Sequence, residues 1–295
     1  VRKSFEMKAG TYSLDFGKPT RVMGILNVTP DSFSDGGKFF RFEDAISQGI
    51  KLVQEGADVL DIGGESSRPF ADSVSENEEI RRVIPLIQHL SSRIDIPISI
   101  DTTKANVAKA AIEAGASIIN DISALRFDPE MADVVKNYGT PVILMHMLGN
   151  PKTMQLKPDY KDVVSEVYQF LSEAILRAEK AGIPKSSIIA DPGIGFGKRV
   201  EHNLALIRHL DKFLSLDVPI LIGPSRKAFI RKLLSNDTGG NISPETTIVA
   251  AGTQAAVAAA VLNGAHMVRV HDVDATRTTL KIIDAVKDDH YREID

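Results

Sequence analysis

Polar side chains in this chain stand at the ends of short apolar runs, and that placement is where any chemistry would lie. Asn27 follows residues 22–26, Asp61 falls within 59–62, and Asp101 follows 98–100. Asn120 and Asp121 close 118–120, His146 follows 142–145, and Asp191 follows 188–190. Ser225, Arg226 and Lys227 come just after 220–222, while Arg269 and His271 end 267–270. One Asp after a strand is ordinarily a turn or cap residue. Hydrogen-bonding groups at the same end of all eight runs exceed what a bland fold requires, and they point to an enzyme. Arg269 and His271 are two residues apart, a spacing that sends both side chains to one face of a strand. With Arg68, whose planar fork suits phosphate, they make a candidate anion clamp. Any one of these cations by itself reads as a surface ion pair.

The elements that must position these groups follow from the pattern between them. The short runs are rich in Val and Ile and mostly continuous rather than alternating, as strands are when both faces are buried in a parallel sheet. Between them lie amphipathic stretches over 42–57, 104–114, 163–181 and 203–216, with apolar residues at helical spacing. Gly56, Gly115, Gly182 and Gly264 stand where these stretches end, the position that favours glycine. Eight strands, each followed by a helix, predict an α/β fold: a (β/α)8 TIM barrel of roughly 250 residues over 21–295. Residues 1–20 are predicted to add a small hairpin, with Tyr12, Leu14 and Phe16 alternating, that closes the barrel bottom. The rival is a doubly wound open sheet, which needs a nucleotide-binding loop after its first strand. Thr29-Pro30-Asp31 stands there instead.

Composition narrows the function. The 295 residues include 35 Lys and Arg against 39 Asp and Glu, a net charge of −4, so a bulk polyanion is not the expected partner. There is no cysteine, which removes disulfides, thiol catalysis and cysteine-based metal sites. The longest clean apolar run, residues 255–262, is far short of the ~20 residues a membrane span needs. No apolar signal core follows Val1-Arg2-Lys3, and the expected location is cytoplasmic. Gly193-Ile194-Gly195-Phe196-Gly197-Lys198 superficially resembles a phosphate-cradling loop, but Pro192 and Arg199 break the pattern. His202 and His209 lie seven apart without the carboxylate spacing of a metal site, and are expected as solvated helix-face residues. The Ala-rich segment 248–262 fits either a barrel helix or part of a subunit interface.

Two loops carry most of the remaining signal. Asn27-Val28-Thr29-Pro30-Asp31-Ser32-Phe33-Ser34-Asp35-Gly36-Gly37 is small, polar and Gly-rich. Asp61-Ile62-Gly63-Gly64-Glu65-Ser66-Ser67-Arg68-Pro69 offers close backbone approach, hydroxyls and a guanidinium. The first, with Met23-Gly24-Ile25-Leu26 before it, resembles the first signature of the dihydropteroate synthases, a pterin-binding enzyme family, and the second resembles their second signature. Ser99-Ile100-Asp101-Thr102, Ile119-Asn120-Asp121, Asp191 to Phe196, Ser225-Arg226-Lys227 and Arg269-Val270-His271-Asp272 resemble the remaining blocks in order. The resemblance spans nearly the whole chain, and its specificity lies in the agreement of separated blocks.

That resemblance implies a barrel that joins 6-hydroxymethyl-7,8-dihydropterin diphosphate to 4-aminobenzoate with Mg²⁺, releasing pyrophosphate and 7,8-dihydropteroate in folate biosynthesis. It implies pterin contacts from Asp101, Asn120, Asp191, Lys227, Met145 and Phe196. It implies diphosphate contacts from Asn27, Ser67, Arg68, Arg269 and His271, with Asn27 also the Mg²⁺ ligand. Phe33, Pro69 and Ser225 would meet the aminobenzoate, and Asp101, Lys227, Asp35 and Arg68 would carry the catalysis. The amides and carboxylates suit a pterin edge, which presents an amino group and ring N–H. The family also implies a homodimer. Three positions depart from its usual pattern: Ser67 where Thr is common, Phe70 where Gly is usual, and Ala228 where many members carry Ser or Arg. The alternatives are a pterin-dependent methyltransferase, which has no diphosphate to clamp, and a non-catalytic pterin-binding paralogue.

Overall fold

The computed structural model describes residues 2–17, 19–28, 38–67, 73–238 and 242–287. The chain opens with a hairpin, β1 (Glu6–Ala9) paired antiparallel with β2 (Tyr12–Asp15). Gly10 at the turn takes a positive φ of 62°, a conformation a side chain disfavours. Eight parallel strands follow: β3 (Arg21–Asn27), β4 (Val59–Gly63), β5 (Ile98–Asp101), β6 (Ile118–Asp121), β7 (Val142–Met145), β8 (Ile188–Asp191), β9 (Leu221–Ile222) and β10 (Met267–Val270). Their spatial order is β8-β7-β6-β5-β4-β3-β10-β9. A parallel bridge between Ala190 and Ile220 joins β8 to the start of β9 and brings the two edges of the sheet together. The predicted TIM barrel is therefore the observed one.

The helices are α1 (Lys38–Gln54), α2 (Glu76–Ser91), α3 (Ala105–Glu113), α4 (Met131–Tyr138), α5 (Val163–Lys180), α6 (Val200–Arg208), α7 (Ala228–Thr238), α8 (Thr247–Leu262) and α9 (Val273–Lys287). Each lies between successive strands or after β10, with both α7 and α8 between β9 and β10. In α5 the buried residues Val163, Val167, Leu171, Ala174 and Ala178 form one stripe at three- and four-residue spacing, and Asp162 caps the helix. The four glycines expected at helix ends all have positive φ. The Ala-rich α8 is a barrel helix, burying Val249, Thr253, Val257, Ala260 and Val261 while Leu262 stays exposed.

One expectation is corrected. The stretch 203–216 does not form one helix: α6 ends at Arg208 and Leu210–Leu216 is a 3-10 helix. Its buried residues Leu210, Phe213 and Leu216 recur every third position, and only a three-residue turn puts these on one face. His202 stays partly exposed on α6, as expected. Its Nδ1 accepts from the Arg199 N–H at the start of α6, and its ring meets Tyr160 edge-on with centroids 5.0 Å apart.

One apolar layer fills the space between helices and strands. A second lies inside the barrel at its amino-terminal end: Met23, Val59, Ile118, Ile143, Ile189, Leu221 and Met267 point inward and pack against Met7, Ala9, Leu14 and Phe16 of the hairpin region. The predicted bottom plug is thus a continuous dry core.

Candidate functional site

Strand periodicity builds the site from that plug. Side chains two residues apart on a strand share a face. Two positions beyond Val59, Ile118, Ile143, Ile189 and Met267 come Asp61, Asn120, Met145, Asp191 and Arg269. The inward face that is apolar at one end of the barrel becomes polar at the other. Cross-strand register sets Gly63 beside Asp101, Asp101 beside Asn120, and Met145 beside Asp191, so the expected groups share one mouth.

The centre of the mouth is an ion triad. Arg269 donates from Nε to Asp61 Oδ2 at 2.6 Å and from Nη2 to Asp101 Oδ2 at 2.8 Å. Asn120 Nδ2 donates to the same Asp61 oxygen at 3.2 Å, while Asp61 Oδ1 is buried with no hydrogen-bond partner among the described residues. Burial raises the Asp101 carboxyl to about 7; Asp61 and Glu79 push the same way, and Arg269 and Lys227 oppose them. Burial weighs against charge on Arg269, but Asp61 and Asp101 more than offset it, and the guanidinium is held even more firmly protonated.

A second group surrounds Asp191. Its Oδ1 accepts the Gly193 N–H at 2.7 Å, and burial raises its carboxyl to about 6 against the pull of that bond, Lys227, Lys198 and Arg269. Gly193 must be glycine, because at φ 70° a Cβ would stand 1.9 Å from the His146 carbonyl oxygen. The Lys227 ammonium sits 4.0 Å from the centroid of the Phe196 ring, a cation–π distance. Phe196 joins Ile122, Met145, Met147 and Met154 in a separate apolar cluster beside the charged groups. The mouth therefore pairs a flat apolar wall with acceptors and donors, the surroundings a planar heterocycle with polar edges requires.

Further round the rim, the Ser225 hydroxyl lies 3.0 Å from His271 Nδ1 and accepts the His271 N–H at 3.2 Å. Arg226, at a positive φ of 57°, reaches Asp272 at 2.6 Å and so ties the loop after β9 to the end of β10. Asn27 ends β3 beside Gly63, where a Cβ would come 3.7 Å from its Oδ1 and 3.5 Å from the Asp101 Cβ. Among the described residues no group of three or more His, Asp or Glu could hold a metal alone. A single amide oxygen fits Mg²⁺, which characteristically takes few protein ligands and completes its shell with phosphate oxygens and water.

The structure thus brings together Asn27, Met145, Asp101, Asn120, Asp191, Phe196, Lys227 and Arg269, with Ser225 and His271 at the rim. Ser67 is half-buried in the loop after β4. Phe33, Asp35, Arg68 and Pro69 lie outside the described residues. Arg269, expected in an anion clamp, spends two of its N–H groups on carboxylates. Three features escaped the sequence reading. Asp61 was seen at a strand end without a role; its place two residues beyond Val59, on the inner face, is the signal for one. Lys104 pairs with both Glu65 and the fully buried Glu79, linking the loop after β4 to the start of α3. Lys198 is buried against His146, and nothing in its sequence context announces that.

Comparison with known proteins adds to this geometry. A family model described as "Pterin binding enzyme" matches residues 23–271. The dihydropteroate synthase of Synechocystis is 48% identical over 280 residues, covering 95% of this chain and 94% of that one. The structure of Xanthomonas albilineans dihydropteroate synthase with 4-aminobenzoic acid superposes with a TM-score of 0.88 at 46% identity, covering 97% of this chain and 99% of that one. The same enzyme in complex with 7,8-dihydropteroate gives a TM-score of 0.84 at 44% identity, covering 96% and 98%.

Proposed function

The chain belongs to the pterin-binding enzyme family, and from that premise we propose that it acts as a dihydropteroate synthase. It joins 6-hydroxymethyl-7,8-dihydropterin diphosphate to 4-aminobenzoate and releases pyrophosphate. One observation carries the reading: Arg269 bridges Asp61 and Asp101 in the mouth that also holds Asn120, Asp191 and Lys227. The methyltransferase alternative has no such support, since the relatives compared above are synthases.

The pterin lies against the apolar wall of Phe196 and Met145. Asp191 accepts from its amino and ring N–H groups, Asn120 both donates and accepts along the same edge, and Lys227 donates to the carbonyl side. The bond from the pterin methylene to the diphosphate oxygen breaks, and pyrophosphate leaves with the electron pair. The methylene carbon becomes cationic, and Asp101 beside the ring offsets that charge. The aminobenzoate nitrogen then forms the new C–N bond and loses its surplus proton to solvent. Arg269 and His271 meet the leaving group, and Arg68, which lies outside the described residues, is assigned the same role from the resemblance alone. Asn27 would hold Mg²⁺, and the ion, when bound, would supply positive charge against the departing group.

We place this enzyme in the cytoplasm. No described helix is long and apolar enough to cross a membrane, which is consistent with that. We assign it a homodimer, for which the exposed Leu262, Ile282 and Val286 on α8 and α9 supply apolar surface. Sedimentation gives the subunit number directly. The deciding experiment incubates both substrates with and without Mg²⁺ and measures dihydropteroate and pyrophosphate. Equal amounts of the two products, with yield dependent on Mg²⁺, are expected. Pterin diphosphate bound with neither product formed overturns the reading in favour of a non-catalytic pterin binder.

A further inference from the structure

The loop after β8 is held in an unusual way. Three consecutive backbone carbonyls, those of Gly195, Phe196 and Gly197, each accept a side-chain donor: Gln155 Nε2 at 2.8 Å, Lys198 Nζ at 3.0 Å and the Tyr160 hydroxyl at 2.8 Å. The Gly195 N–H donates in turn to Asn203 Oδ1 at 2.7 Å. Gln155 and Tyr160 belong to the segment between β7 and α5, so one loop pins the next. Lys198 is buried, and among the described residues it has no carboxylate within ion-pair distance. Its second contact is His146 Nδ1 at 2.8 Å. Burial, with Lys198 and Arg126 nearby, lowers the pKa of that imidazole well below its ordinary range, so the ring is neutral and one of its nitrogens is an acceptor.

These bonds fix more than a loop. The Lys227 stem lies directly over Gly195, where a Cβ would come 2.9 Å from its Cδ, and its ammonium sits over the Phe196 ring. The backbone of 195–197 is therefore the template for both the cation and the flat wall of the mouth. We infer that Gln155, Tyr160 and Lys198 are positioning residues that set the Lys227 ammonium and the Phe196 ring for the pterin, acting on the heterocycle's half of the reaction and not on the aminobenzoate's. The inference rests on the function proposed above. It adds residues that touch no substrate.

The test compares wild type with Tyr160→Phe, Gln155→Ala and Lys198→Met. Calorimetric titration with 6-hydroxymethyl-7,8-dihydropterin reads the pterin site, the KM for 4-aminobenzoate at saturating pterin diphosphate reads the other, and thermal melting reads the fold. Loss of one buried hydrogen bond corresponds to roughly a 3- to 10-fold effect. Tyr160→Phe and Gln155→Ala are expected to weaken pterin binding by about that factor. Lys198→Met, which leaves a carbonyl and an imidazole nitrogen unpaired, is expected to exceed about 10-fold. The KM for aminobenzoate should stay within about twofold in all three. Lower melting temperatures with unchanged pterin affinity would reduce the clamp to a structural role and overturn the inference, as would equal losses at both substrates. If Lys198→Met does not fold, Tyr160→Phe and Gln155→Ala decide the matter. A wild type that binds no pterin sinks the function and the clamp together. Normal wild-type binding with unaffected variants sinks the clamp alone.

Discussion

The two ends of the barrel are made from the same strands, and side chains only two residues apart carry opposite duties. At the amino-terminal end Val59, Ile118, Ile189 and Met267 are buried against the hairpin in a core without a charge. At the carboxyl-terminal end Asp61, Asn120 and Asp191 are buried too and Arg269 is half-buried, yet they carry charge or amides. Burial of apolar surface stabilises the first end by about 25 cal/mol per Å² removed from water. The second end works against stability, because burial makes the Asp101 and Asp191 carboxyls costly to ionise.

The sharpest way to break this comparison is on β8 itself. Ile189→Asp places an unpaired carboxylate in the plug, a cost of about 3–5 kcal/mol or more, and loss of the cooperative melting transition is expected. Asp191→Asn, one inward position along, should leave a folded protein with an unchanged or higher melting temperature. Its pterin affinity should fall by about 100-fold, the scale of a lost charge-assisted hydrogen-bond pair. A folded Ile189→Asp variant, or an unfolded Asp191→Asn variant, would show that the two ends do not divide the work in this manner.

Asp101→Asn separates binding from chemistry within the mouth. The amide can still accept from Arg269, so pterin affinity should change by less than about threefold. Turnover should fall by about 100-fold, because the charge facing the cationic methylene is gone. Steady-state kinetics beside direct titration of the pterin decides this, and equal losses in both would leave Asp101 a binding group only.

How much of this was legible follows the same division. The barrel could be read because buried parallel strands are written as unbroken Val and Ile runs, and the mouth because polar residues terminate those runs. Even the plug was visible in the alternation of Tyr12, Leu14 and Phe16. What could not be read was contact between distant side chains. Arg269 looked like a cation awaiting an anion, and its engagement with Asp61 and Asp101 crosses the barrel mouth to strands more than 150 residues away in sequence. Lys198 looked like part of a failed phosphate loop. The 3-10 geometry of Leu210–Leu216 was hidden because a threefold apolar repeat is easily absorbed into a helical pattern. Local spacing announces elements and their faces, whereas the sharing of donors among loops is settled only by closure of the barrel.

Acidity should move the two properties of the mouth in opposite directions. Asp191 and Asp101 have folded values of about 6 and about 7, above the ~3.9 of an unfolded Asp. The native state therefore binds more protons than the unfolded state between about pH 4 and 7, and these groups subtract stability as pH rises through that window. Pterin binding needs Asp191 as an acceptor and should weaken as pH falls below about 6. Melting curves of wild type and Asp191→Asn isolate the stability effect: the variant's advantage should widen as pH rises and vanish near pH 4. Titration of pterin across the same range reads the binding effect. A wild type that gains stability and affinity together on acidification would contradict the charge assignment.

The smallest effect belongs to the rim, where water competes for every bond. Ala228 is the exposed first residue of α7, directly after Lys227, at the position where the family resemblance implies a hydroxyl or a charge. Without that group, backbone N–H groups at the helix start are the donors available to the aminobenzoate carboxylate. Ala228→Ser restores a hydroxyl without touching Asp191, Asp101 or the plug. An exposed bond of this kind contributes about 0.5–1 kcal/mol, so the KM for 4-aminobenzoate should fall by roughly 2- to 5-fold. Pterin affinity and melting temperature should stay as they are, because neither the enclosed mouth nor the dry end is altered. If the KM does not move, the N–H groups of α7 already satisfy the carboxylate and the missing hydroxyl carries no cost. If pterin affinity moves instead, the rim and the mouth are coupled, and the boundary between them lies nearer the strand ends than Lys227.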